Sequence, residues 1–356
     1  MALAVPRRGA GALQPVRVIA YNILVGGQQT AYDADRGPTR RQRIVQYLAT
    51  QRPDVVLFTE LKNFSRADFA TWVRDGLGHA SAVLGVTSGG YHVGVSSRFP
   101  LSELEFQNDA FHHGALAVRV DVPVAEATAD ATADATAAAT ADATDAPTAP
   151  WTAPASGAAP EAAVPPTPPA SLSSRARPFH VLVTHLTPYD SVKRVDEMAA
   201  VAAMVARHPS PAGWLVAGDL NTLSPHDAPQ YAACAARLAA LRKFARPPAA
   251  AASAVAPALD YAPLQVLLDA GWIDLGAASD VPFAHTAPTC LEVDSAHCAR
   301  LRLDYMLVDA ALAHAAPAGA VPPPAGAAGR PVYRVLQNDV TDYLSDHYPI
   351  ACELFV

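Results

Sequence analysis

Several short runs of this chain alternate apolar and polar residues, and most of them stop on a polar side chain. Val16–Asn22 (VRVIAYN) sets Val16, Val18 and Ala20 on one face and closes that face at Asn22, the pattern of a half-buried strand. Asp54–Thr59 (DVVLFT) is almost wholly apolar, as in a strand covered on both sides, and runs into Glu60. Phe179–His185 alternates Phe179, Val181 and Val183 and ends that face with His185. Trp214–Pro225 (WLVAGDLNTLSP) opens as an apolar strand that breaks at Gly218. Asp219 and Asn221 then point to one side of an extended chain, and Ser224-Pro225 ends the run. Leu301–Asp309 (LRLDYMLVD) carries Asp304 among apolar neighbours, where an unpaired carboxylate would be costly. Ser345-Asp346-His347-Tyr348-Pro349 precedes a last strand, Ile350–Phe355. Tyr91–Ser97 and Ala115–Val122 read as two strands of one hairpin.

Helical spacing fills the gaps between these strands. Residues 39–51 place Ile44, Tyr47 and Leu48 on one face, with Arg40, Arg41 and Arg43 on the exposed side, before Pro53 stops the helix. Phe69, Trp72 and Val73 mark a core-facing helix within Asp68–Leu77. Ser191–His208, capped by Asp190 or Ser191, carries Val195, Met198, Ala202 and Val205. Tyr231–Phe244 and Tyr261–Ala270 read as helices, and Gly271–Asp274 as a helix stop and turn. The stretch 125–170 differs in kind. Its Ala-Thr-Asp repeat and Pro/Ala tail have no apolar stripe to bury, so it reads as a disordered insertion within one domain spanning 16–356, with 1–15 a flexible N-terminus.

Composition narrows the class. The chain is 51% apolar and 17% charged, with a formal net charge of −7 and a pI near 5.9. That balance argues against gripping nucleic acid by bulk electrostatics, though it does not exclude a nuclease whose metal ions offset local charge. Four cysteines make no disulfide framework; Cys290 and Cys298 flank a short loop and could pair in an oxidising compartment, but read as free thiols. No apolar run is long enough for a membrane span, and the N-terminus lacks the apolar region of a secretory signal. A cytoplasmic monomer is the expectation, with a short organellar presequence as the alternative.

The polar strand ends form a set: Asn22, Glu60, His185, Asp219, Asn221, Asp304, Asp346 and His347. Taken alone, Asp219-Leu220-Asn221 is as readily an Asx turn, and a single histidine closing a strand is usually structural. The recurrence is what points to a site. Its donors are oxygen-rich with no cysteine, which suits Mg²⁺, Mn²⁺ or Ca²⁺. A carboxylate-bound metal, carboxamides and histidines supply what phosphate-ester hydrolysis needs: charge neutralisation, an activated water and a leaving-group donor. His92, His112 and His113 are candidate phosphate contacts, but each reads first as an ordinary loop or strand-surface histidine.

In their order and wording, VIAYN, DVVLFTEL, VTHL, AGDLN, LRLDYMLV and SDHYP, spread from Val18 to Pro349, resemble the endonuclease/exonuclease/phosphatase superfamily of metal-dependent phosphoesterases. The resemblance implies an α/β fold, a four-layer α-β-β-α sandwich of two mainly antiparallel sheets with the site on their rim. It implies Glu60 as principal metal ligand, Asp346 as a second carboxylate at or beside the metal, and Asn22 as an orienting group for the metal or phosphate. Asp304 would hold His347, which activates water or stabilises the phosphate. Asp219 would orient the nucleophile or bind a second metal, Asn221 would contact phosphate, and His185 would be the second catalytic histidine. Thr184-His185-Leu186 is similar to the deoxyribonuclease, sphingomyelinase and deadenylase branches, while Thr59 departs from the usual Gln before the metal glutamate. The expected activity is Mg²⁺-dependent hydrolysis of a phosphodiester or phosphomonoester that is lipid, small-molecule or nucleic acid. A DNA or RNA nuclease is the alternative, and a catalytically inactive scaffold the alternative of another class.

Overall fold

The computed structural model describes residues 13–33, 37–124, 176–241, 243–245, 258–291, 299–315 and 332–356. Residues 1–12, the low-complexity stretch 125–170, most of the Ala/Pro loops and Cys298 lie outside the described residues, so the flexible terminus, the disordered insertion and the cysteine pair belong to sequence alone. Cys234, Cys290 and Cys352 are free thiols. No helix among the described residues is long and apolar enough to cross a membrane.

Two six-stranded sheets carry the fold. The first holds β1 (Pro15–Asn22), β2 (Val55–Thr59), β3 (Ser81–Gly85), β4 (Val93–Ser97), β11 (Val332–Val335) and β12 (Ile350–Phe355), ordered β11-β12-β1-β2-β4-β3. The second holds β5 (Leu101–Gln107), β6 (Ala115–Pro123), β7 (Ala176–His185), β8 (Trp214–Asp219), β9 (Ile273–Asp274) and β10 (Asp304–Val308), ordered β5-β6-β7-β8-β10-β9. Every pairing is antiparallel except the central one in each sheet, β1 with β2 and β7 with β8.

The period-2 pattern explains the layers. Val16, Val18 and Ala20 of β1, with Val55 and Leu57 of β2, meet Phe179, Val181 and Val183 of β7 and Leu215 and Ala217 of β8 between the sheets. The alternate residues Ile19, Tyr21, Val56 and Phe58 face outward onto α1 (Arg40–Gln51) and α2 (Arg66–Leu77), through Ile44, Leu48, Phe69 and Val73. On the far side, Leu182, Val216, Tyr305 and Leu307 pack on α3 (Ser191–Arg207) and α4 (Ala262–Asp269), through Met198, Val201, Met204, Leu264 and Leu267. The result is the expected α-β-β-α sandwich. Both helices on the first sheet begin with reciprocal capping boxes, Thr39 with Gln42 and Ser65 with Asp68.

Several local expectations are corrected. β6 is no hairpin partner of β4: it pairs with β5 and β7 in the opposite sheet. β5 escapes a period-2 reading because a bulge between Glu103 and Glu105 shifts its alternation. β3 and the four-residue β11 are edge strands with weak patterning. Tyr231–Phe244 is not one helix but short turns, Ala228–Tyr231, Ala232–Cys234 and Ala235–Ala240. The stripe on α3 turns toward Arg194, Glu197 and Val201, and Ile273–Asp274 pairs with β10 as a short strand. Gly218 does not end β8; the strand runs through it to Asp219.

The arginines of α1 are not a solvated face. Arg40 is fully buried, and its guanidinium donates to the carbonyls of Ile23 (3.0 Å), Leu24 (2.5 Å), Gln28 (2.7 Å) and Leu344 (2.9 Å). Arg41 donates to the Gly26 carbonyl and lies over Phe64, and Arg43 pairs with Asp33. A five-donor fork can satisfy several loop carbonyls at once, which helical periodicity cannot reveal.

On the outer edge, Glu105 takes a two-point contact from Arg207 (2.6 and 3.2 Å) and lies 2.9 Å from His208 Nε2. These hydrogen bonds, led by Arg207, hold its carboxyl down at about 2 from an ordinary 4.5. A depressed carboxyl contributes stability that is complete above its unfolded value and is lost as pH falls through the folded one. Glu105→Gln is therefore expected to cost about 1 kcal/mol at pH 7, after allowance for solvent screening at Arg207. That difference fades between about pH 4.5 and pH 2. Urea midpoints of both proteins at pH 7, 4 and 2.5 check it; a gap that persists at pH 2.5 rules this cause out.

Candidate active site

The parallel pair at the centre of each sheet decides where polar side chains collect. Both members of such a pair end at the same rim. β1 ends at Asn22 beside Thr59 of β2, with Glu60 next in the chain. β7 ends at His185 beside Asp219 of β8, and Asp219 is in turn opposite Asp304 at the start of β10. Ser345-Asp346-His347 approaches just before β12, whose Ile350 pairs with Ala20. All eight residues of the sequence-derived set therefore lie at one rim, and seven of them are almost fully buried, Glu60 being half-buried.

Asn22 joins the two sheets. Its Nδ2 donates to Glu60 Oε1 (3.1 Å) and to Asp219 Oδ2 (3.1 Å), while its Oδ1 accepts from the Leu24 amide (3.0 Å). The second oxygen of Glu60 accepts from the Val25 amide at 2.8 Å. That amide is presented by a left-handed turn, with φ of +46° at Leu24 and +50° at Val25, and Glu60 itself sits at φ +61°. Non-glycine residues in this region are strained, and such strain gathers at functional sites. Ser345 Oγ donates to the Asn22 carbonyl (2.7 Å) and lies 3.2 Å from Asp346 Oδ1, tying the last loop to the same corner.

The histidines stand on the other side of Asp219. His347 Nδ1 is 2.7 Å from Asp304 Oδ2, and its Nε2 is 3.7 Å from Asp219 Oδ2. Thr286 Oγ1 accepts the Leu303 and Asp304 amides, fixing the start of β10. His185 Nε2 lies 3.3 Å from Asp219 Oδ2 and 3.1 Å from Asn221 Nδ2. Burial disfavours an imidazolium, yet Asp304, Asp219 and Asp346 outweigh it at His347 and hold its pKa well above the ordinary value. Burial would raise Asp219 too, but His347 and His185 hold its carboxyl below the usual range. His185 is raised in spite of its burial, through Asp219 first.

These groups open on a cavity of about 650 Å³ lined by Glu60, His113, His185, Asp219, Asn221, Asp346 and His347. Tyr91, His112, Tyr189 and Lys243 also line it. Asp219, Asp304 and His347 also bring potential ligand atoms within 4.8 Å of one another. Within this trio Asp304 and His347 also hydrogen-bond each other at 2.7 Å, a dyad that faces Asp219 through His347 Nε2. Sequence patterning missed Thr286, Ser345 and Glu197. It read His113 as a loop or strand-surface histidine; His113 is instead buried, stacked on His185 with ring centroids 4.2 Å apart. His92 instead accepts from the Thr87 amide and is not in the cavity lining.

A family model described as the Endonuclease/Exonuclease/phosphatase family matches residues 19–347. No curated protein sequence matches the chain. Among solved structures, an endonuclease/exonuclease/phosphatase family protein from Bacteroides thetaiotaomicron is similar with a TM-score of 0.52 at 11% identity, covering 97% of this chain and 96% of that one. D. rerio TDP2 complexed with single strand DNA product gives 0.50 at 15% identity, covering 96% and 98%. An endonuclease/exonuclease/phosphatase from Beutenbergia cavernae gives 0.50 at 16% identity, covering 96% and 72%. At these identities the likeness is one of fold.

Proposed function

We propose, from the premise that this chain belongs to the endonuclease/exonuclease/phosphatase family, that it is a divalent-metal-dependent hydrolase of phosphoester bonds. Members of the family are generally hydrolases of such bonds. The observation that carries the reading is the Asn22 amide bridging Glu60 and Asp219 across the two sheets, beside the Asp304–His347 dyad and over one cavity.

The donor set fits a hard cation. Glu60, Asp219 and Asp346 bring three carboxylates to one cavity, and each Glu60 oxygen accepts one hydrogen bond and retains a lone pair. Glu60 and Asp346 would hold Mg²⁺, with Mn²⁺ or Ca²⁺ as substitutes, and Asn22 would orient Glu60. Bound there, the ion supplies charge neutralisation at the phosphate and a more acidic water. Asp219, kept ionised by its histidine neighbours, orients the attacking water. His347, kept charged by Asp304 and Asp219, presents Nε2–H to a non-bridging phosphate oxygen. His185 gives a proton to the leaving oxygen, and Asn221 contacts the phosphate. The acidic overall charge supports a substrate not held by bulk electrostatics.

Hydrolysis of bis(p-nitrophenyl) phosphate tests the reading. Chelation is expected to abolish it and added Mg²⁺ to restore it. Glu60→Gln is expected to raise the Mg²⁺ concentration for half-activity about 10- to 100-fold. DNA, RNA, sphingomyelin and sugar phosphates assayed alongside would identify the substrate class. An inert wild type across that panel would favour the scaffold reading.

A further inference from the structure

The two site histidines are oriented by different means. A histidine that works at a reaction centre is normally held through its second ring nitrogen by a carboxylate or a carbonyl. His347 follows this rule, its Nδ1 facing Asp304 Oδ2 at 2.7 Å. His185 does not: its Nδ1 is buried without a hydrogen-bond partner. All its polar contacts are made through Nε2, to Asp219 and Asn221. Contacts at one nitrogen leave the ring free to swing about that edge.

What lies against the ring is His113. The two imidazoles are near-parallel, 25° apart with centroids at 4.2 Å, and His113 is only 8% exposed. Tyr91 packs edge-on against His113 at 5.3 Å and His112 at 4.3 Å, so His113 is itself wedged. Burial, with His185 and His112 alongside, pushes the His113 imidazole down to about 2 and keeps it neutral, so it stacks without repelling its neighbour. The loop beneath is anchored from α3. Glu197, wholly buried, accepts the His112 amide (2.7 Å) on one oxygen and the Thr187 amide (2.8 Å) on the other. Arg194, one turn earlier, donates to the Thr187 carbonyl at 3.0 Å. One carboxylate thus ties the segment carrying His113 to the segment that follows His185.

We propose that His113 is a positioning residue for His185, its stacked ring fixing the plane that Asp304 fixes at His347 by hydrogen bonding, with Glu197 holding the two segments in register. This rests on the catalytic assignment of His185 made above. The surface that matters is the face of the His113 ring, not its nitrogens, and this separates positioning from direct contact with substrate.

Three variants and two readouts decide it. His113→Ala removes the face and is expected to lower kcat about 10- to 100-fold with KM changed less than about threefold. His113→Phe restores a ring without nitrogens and is expected to recover most of that loss. In ¹H–¹³C spectra of the metal-free protein, the His185 ring signals should keep their ring-current shift in the Phe variant and lose it in the Ala variant. A Phe variant as impaired as the Ala variant, with KM raised in both, would instead make His113 a substrate contact and overturn the proposal. Unmoved His185 signals in His113→Ala would overturn it too. His185→Ala is measured in parallel. If it retains wild-type kcat while the spectra behave as expected, the catalytic assignment of His185 fails and the stacking role stands.

Discussion

Alanine at His347 is expected to lower kcat for bis(p-nitrophenyl) phosphate by about 10³-fold at saturating Mg²⁺, with KM changed little. The size follows from what is lost: a buried donor beside Asp219 whose pKa the neighbouring carboxylates raise well above the ordinary value. Charge-assisted donors aimed at developing charge are worth far more in such surroundings than in water. Asp304→Asn is the more telling companion. An amide there can turn either its oxygen or its NH₂ toward Nδ1, and it no longer favours the imidazolium, so a loss of about 10²-fold is expected with the ring still in place. The double variant should be no worse than His347→Ala, because Asp304 acts only through that ring. Steady-state kinetics of the three variants check the scheme. A double variant much slower than His347→Ala would give Asp304 a separate role, and the trio with Asp219 would need reading as a metal site.

The site was more legible in the sequence than the details of the fold around it. A strand end is a local event: period 2 tells which face Asn22, His185 and Asp219 continue, and that face is buried in each case. What brings those ends to one rim is the central parallel pair of each sheet, a topological fact visible only through the family's motif order. The largest misreadings involve partners distant in sequence. Arg40 looked solvated because its four carbonyl acceptors lie in the loop at 23–28 and at Leu344, beyond any helical period. β6 looked like a partner of β4 because β5, the strand between them, escaped the period-2 reading, and its other partner β7 lies beyond the 125–170 stretch. His113 read as a surface histidine because the ring it stacks on, His185, and Glu197, which anchors the neighbouring His112 amide, lie far along the chain.

Gly218→Ala is expected to be among the most destabilising single changes this chain can take, about 3–5 kcal/mol, or to prevent recovery of folded protein. Two costs combine. The backbone there has φ +138°, a conformation L side chains rarely adopt, and a Cβ would lie 2.0 Å from the Thr184 carbonyl oxygen of β7. Neither side can yield easily. Thr184 pairs with Gly218 in the parallel ladder, Tyr305 of β10 pairs with it from the other side, and all three are in the sheet core. Gly78, the C-cap of α2, isolates the first cost: it sits at φ +71°, and a Cβ added there would meet nothing within 4 Å. Gly78→Ala should therefore cost only about 1 kcal/mol. Urea unfolding of the two variants against wild type measures the difference, and equal costs would mean the β7–β8 pair opens freely. Because Asp219 follows Gly218 directly and is aligned with His185 by that same ladder, the pair that excludes a Cβ also sets the spacing of the site. Any Gly218→Ala protein that does fold should thus lose activity beyond what its remaining folded fraction explains.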